Sequence, residues 1–119
     1  MKYLCLVYLE ETKLDTLSPS ESAALVGDSV GYDDLLRRSS HLIVAHALKP
    51  TRSARTVRVR NGRVLKTDGP FAETKEQLIG FLLINAGDMD EAVAVAAKVP
   101  LARMGSIEVR PIQVPSNSS

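Results

Sequence analysis

Thiol chemistry in this 119-residue chain is confined to one position. Cys5 is its only cysteine, so no internal disulfide can form. The two histidines and that cysteine make no group with metal-ligand spacing, so no metal is expected, and no other cofactor is called for. An excess of one charge is also missing. Fifteen Lys and Arg stand against fourteen Asp and Glu, a net charge of +1, whereas dedicated nucleic-acid binders carry a clear basic excess. No nucleic-acid partner is expected. Long apolar runs are absent too. The opening "MKYLCLVYLEE" offers one lysine and seven apolar residues before acids interrupt it. That is too short for a signal peptide or a membrane span. The expectation is a cytoplasmic protein that makes no use of a membrane.

What is present is an ordinary globular composition, 45% hydrophobic and 24% charged, in a chain long enough for one core and too short for two. A single domain over residues 1–113 is expected, followed by a polar, frayed tail over 114–119. Residues 2–9 are apolar at nearly every position and read as a strand buried on both sides. "SPSE" opens a helix, with Ser18 as N-cap, Pro19 at the first position and Glu21 completing a capping box. It runs to about Arg38, with Leu25, Tyr32 and Leu36 as its apolar stripe. Residues 41–49 form the second strand. Residues 56–60 and 63–67 flank Asn61-Gly62, a strong hairpin signal, because both turn positions tolerate positive φ. "QLIGFLLINA" is another strand apolar on both faces. "DMDEAVAVAAKVP" is a helix capped by Asp88, and "SIEVRPIQV" closes the sheet.

The order β-α-β-hairpin-β-α-β predicts an α+β ferredoxin-like sandwich: an antiparallel sheet, two helices on one face, and an inserted hairpin. Two helices cover only one face of such a sheet, yet its central strands are apolar on both. The bare face needs a partner, and a homodimer packed sheet against sheet is the expected solution.

The segment "DGPFAETKEQLIGF", followed by "GSIEVRPI", resembles the YCII-related family, in the branch named for its Asp-Gly-Pro-Phe motif. The likeness runs from "MKYLCLVY" to "RPI". It implies a ferredoxin-like fold in a dimeric α/β barrel, as in muconolactone isomerases and antibiotic-biosynthesis monooxygenases. Some relatives in the wider family are thought to use a His–Asp acid/base pair with the histidine on the first helix. Residues 19–38 contain no histidine, so that pair is not carried over. The resemblance also implies a regulatory context, since members of the branch are often encoded beside, or fused to, alternative sigma factors.

Several residues are candidates for a site. Asp68 is either the cap of the Gly69-Pro70 turn or a base aimed at the barrel mouth. Phe71 reads as a core plug. Glu73, Lys75 and Glu76 are a solvated charge run; alternatively, beside Asp68, the glutamates are carboxylates able to shift a pKa and Lys75 is a candidate to bind the ligand. His46 alternates with Leu42, Val44 and Leu48 and is the best general acid or base if that face lines a cavity. His41 reads as exposed. Tyr8 either supplies a hydroxyl to the cavity or packs. Gly80 marks a bulge or a close backbone approach. From Lys49 to Lys66 there are seven bases and no acid. Arg58 and Arg60 share one hairpin face, and with Arg110 they are candidates to hold an anionic small molecule. Three readings follow: an enzyme doing cofactor-free acid/base chemistry with His46, Asp68 and Glu73; a ligand-binding or regulatory dimer; and a protein-interaction module.

Overall fold

The computed structural model describes residues 1–115. Of the expected tail only Val114 and Pro115 fall within it, both exposed, and the rest lies outside the described residues. The elements are β1 (Lys2–Leu9), α1 (Thr12–Asp15), α2 (Pro19–Arg38), β2 (Leu42–Ala47), β3 (Arg55–Arg60), β4 (Arg63–Asp68), β5 (Gln77–Asn85), α3 (Met89–Ala97) and β6 (Ser106–Pro111). Short 3₁₀ turns cover Thr51–Ser53 and Pro100–Arg103. A four-stranded antiparallel sheet has the order β2-β5-β1-β6, consistent with a ferredoxin-like fold. Two helices were expected and three are present among the described residues, because "TKLD" closes one extra turn after β1.

Local chemistry explains the ends of α2 and α3. Ser18 Oγ accepts from Glu21 N at 3.1 Å, and the Glu21 carboxylate accepts from Ser18 N at 2.9 Å. These two bonds satisfy free donors of the first turn. At the far end Ser40 takes a left-handed φ of 65°, and His41 N reaches Leu36 O at 2.8 Å, turning the chain into β2. In α3 the Asp88 carboxylate accepts from Glu91 N at 2.9 Å. The helix α3 ends at Ala97, before Pro100, which opens a 3₁₀ turn.

The helices cover one sheet face. Tyr3, Cys5 and Val7 of β1, Leu82 and Ile84 of β5, Leu36 of α2, and Ala92, Val95 and Ala96 of α3 form one buried cluster. Cys5 is wholly buried, and desolvation pushes its thiol up to about 11. Tyr32 of α2 donates to Val95 O at 2.6 Å, bracing α2 against α3. The sequence pattern placed Leu42 on the face of His46. A bulge between Leu42 and Val44 overturns that, and Leu42 packs against the core instead. Gly80 does mark a close approach: a Cβ there would lie 3.0 Å from His46 O, beside a bulge in the β1–β5 pairing.

The hairpin departs from the sheet. β3 and β4 pair with each other as a separate two-stranded ribbon, turning on Asn61 (φ 51°) and Gly62 (φ 73°). The molecule measures 48 × 47 × 18 Å, with a radius of gyration of 16.5 Å. A compact chain of this length would give about 13.5 Å. The ribbon is an arm.

Candidate functional site

On the sheet face away from the helices, register sets the side chains in rows. One row runs Val44, Leu83, Leu4 and Arg110; the next runs His46, Phe81, Leu6 and Glu108; Leu78, Tyr8 and Ser106 begin the third. The apolar members are half-buried, while His46, Glu108 and Arg110 are exposed. This leaves an apolar floor edged by a base on β2 and by opposite charges on β6. His46 sits edge-on to Phe81, with ring centroids 5.8 Å apart. Tyr8 Oη donates to Glu108 Oε1 at 3.4 Å, and Ser106 Oγ donates to Glu76 Oε1 at 2.7 Å. Four strands at about 4.8 Å spacing put His46 roughly 14 Å from Glu108 across one protomer. A single sheet does not bring them together.

The candidates from sequence divide into two groups. His46, Tyr8 and Arg110 share this open face. Arg58 and Arg60 lie on the arm, Asp68 ends it, and Glu73 and Lys75 follow in an exposed connection. Asp68 caps no turn. Its side chain is 89% exposed and pairs with Arg55 at 3.0 Å. The turn is held by Gly69 N donating to Ala54 O at 2.8 Å, with Gly69 at a φ of 99°. Phe71 is not a core plug. It is 78% exposed, with the Arg58 guanidinium carbon 5.4 Å from its ring centre. With the hairpin outside the sheet, the motif that follows it lies too far from the core to fill it. Among the described residues no group of Cys, His, Asp or Glu is arranged to hold a metal.

Three features went unread in the sequence. Glu108 lies in the closing strand "SIEVRPIQV" without standing out; its pairing with Tyr8 needs the β1–β6 register. His41 is half-buried rather than exposed. Its Nδ1 lies 2.7 Å from Ser39 Oγ and its Nε2 lies 2.9 Å from Glu91 Oε1. That bond, with Gly87 N donating to Oε2 at 2.6 Å, holds the Glu91 carboxyl below the usual range. Finally, an apolar cavity of about 140 Å³ lies between α2 and the sheet, lined by Val7, Tyr32, Ala45 and Ile79, with Ser29 and Asp33 at its wall. Burial there raises the Asp33 carboxyl above its ordinary value. The periodicity of α2 carries this signal, because Ser29 and Asp33 fall on the inward stripe with Leu25, Tyr32 and Leu36.

Residues 1–114 match the description of the YCII-related domain. The chain is also 37% identical over 114 residues to an uncharacterised protein of Rhizobium meliloti (strain 1021), covering 94% of this chain and 92% of that one.

Proposed function

We propose, from the premise that this chain belongs to the YCII-related family, that it acts as a homodimer whose open sheet faces close over a small anionic substrate. The chemistry is cofactor-free acid/base catalysis, and "DGPFAETKEQ" points to the family's Asp-Gly-Pro-Phe branch. The observation that carries the reading is the open face itself, an apolar floor with His46 at one edge and Tyr8, Glu108 and Arg110 at the other. Facing sheets pack about 10 Å apart. A two-fold axis along the strands sets β2 of one protomer against β6 of the other. His46 then comes opposite a Glu108 and an Arg110 that its own protomer holds at a distance. In this arrangement His46 moves the proton, Glu108 orients it through Tyr8, and Arg110 holds the anion by a charge-assisted hydrogen bond.

The test has two parts. Light scattering should give twice the 12.9 kDa of the chain, and Leu6→Glu should return it to one chain by placing an unpaired charge in the closed face. In a thermal-shift screen of small carboxylates and phosphates, Arg110→Ala should abolish the stabilisation. A monomer at micromolar concentration, or anion effects indifferent to Arg110, would sink the reading.

A second reading, a ligand-binding regulatory dimer without turnover, draws on the cavity beneath α2. Its apolar walls and single half-buried carboxyl suit a small apolar ligand with a donor group. Binding of such a compound, abolished by Asp33→Ala and indifferent to Arg110→Ala, which lies outside the cavity, would favour it.

A further inference from the structure

An isolated two-stranded hairpin is at best marginal in water; it needs a third strand or a packed layer. The β3–β4 ribbon has neither among the described residues. One of its faces carries Val57, Val59 and Val64, which are 58%, 58% and 62% exposed, together with Lys66. The other carries Arg58, Arg60, Arg63 and Leu65, with Phe71 against Arg58. The base of the ribbon is nevertheless fixed. Thr51 N donates to Glu11 Oε2 at 3.2 Å and Thr51 Oγ1 donates to Glu11 Oε1. Thr56 Oγ1 donates to Gly69 O at 3.0 Å. The arm is aimed away from its own body.

Charge indicates what it meets. Residues 49–68 hold seven bases and one acid, Asp68, while the remainder of the chain holds eight bases against thirteen acids. The near-neutral total thus conceals a +6 segment attached to a −5 body. A polyanion would satisfy the arginines and leave the valines bare. A second copy of this chain offers both carboxylates and exposed apolar side chains, Leu48 and Ile112 among them.

We propose that the β3–β4 hairpin is an exchanged arm that each protomer lays against the body of a second copy. This deepens the homodimer proposed above and rests on there being one. The arm's valines gain a partner's surface, its arginines and Lys66 gain the partner's carboxylates, and the ribbon obtains the packed layer it lacks. Because the contact is one of opposite charges near the surface, raising salt loosens it.

The experiment mixes ¹⁴N and ¹⁵N protein in equal amounts, cross-links amines to carboxylates at zero length, and reads the isotopes of peptides joined through Lys66. The arm predicts mixed-isotope pairs, and it predicts that R58E/R60E/R63E raises the dimer Kd at least about tenfold at 50 mM salt. Should that variant fold poorly, Val59→Lys in the wild-type background should give a rise in the same direction. Lys66 pairs of uniform isotope, with a dimer still split by Leu6→Glu, would overturn the arm and leave the facing sheets standing. Mixed pairs that persist in Leu6→Glu would support the arm and overturn the facing sheets instead. A chain monomeric at every concentration would overturn both. Arginine-dependent binding of a 20-base-pair duplex, with the dimer Kd unmoved by charge reversal, would assign the arm to nucleic acid and overturn the proposal.

Discussion

β1 and β3 each set a row of apolar side chains on one face, and the two rows end in opposite environments. In β1, Tyr3, Cys5, Val7 and Leu9 are all buried. In β3, Val57 and Val59 alternate just as regularly with Arg58 and Arg60, and both valines are more than half exposed. The difference lies in neighbours: β1 is flanked by β5 and β6 and covered by helices, whereas among the described residues β3 has only β4. Alternation fixes which residues share a face. It does not say whether anything covers that face.

The sharpest way to break this contrast is through the core. Ile84→Ala removes a fully buried side chain of β5 and should cost about 3 kcal/mol. Urea unfolding would show it as a lower midpoint with an unchanged slope. A cost below about 1 kcal/mol would mean that the body is as loosely packed as the arm. Tyr32→Phe removes the α2-to-α3 brace at Val95 O and should cost about 1.5 kcal/mol in the same assay. On the arm, Gly62→Ala forces an alanine to a φ of 73°, a strain of about 1 kcal/mol. Because the ribbon stands apart from the sheet, hydrogen exchange should quicken in residues 55–68 and hardly change in β1. Equal quickening in both would show that the two regions unfold together.

The smallest effect is a pH dependence. Glu91 has its folded-state pKa lowered, first by His41 and then by Gly87. Its contribution is therefore fully present above the ordinary glutamate value and fades as pH falls through the lower folded one. Thermal midpoints of wild type and Glu91→Gln should differ by a constant amount near neutrality and converge in acid. A gap that widens in acid would reverse the sign and remove this account of Glu91.

Much of the fold was legible because local signals and global order agreed. Ser18 with Glu21, Asp88, and Asn61-Gly62 each fix a boundary through backbone chemistry that does not depend on the tertiary structure. The order of elements then leaves few topologies. Phe71 was misread because its surroundings depend on where the hairpin goes, which no residue within "DGPFAETKEQ" specifies. Leu42 was misplaced because a bulge shifts the period by one, which strict alternation cannot express. His46, Tyr8 and Arg110 could be assigned to strands, but their shared face depends on register across three pairings. Glu108 became visible as a participant only through that register.

The burial of Cys5 turns the chain into its own clock. The thiol lies in the middle of β1, a strand that pairs on both sides, under the layer of α2 and α3, and it is the only cysteine in the sequence. A maleimide reaches it only when that layer opens, so the labelling rate counts openings of the body and ignores motions of the arm. No tag or engineered probe is needed. Mass spectrometry of a timed labelling pulse gives one number, zero or one adduct per molecule. The fraction labelled against pulse length reports how often the core between helices and sheet opens.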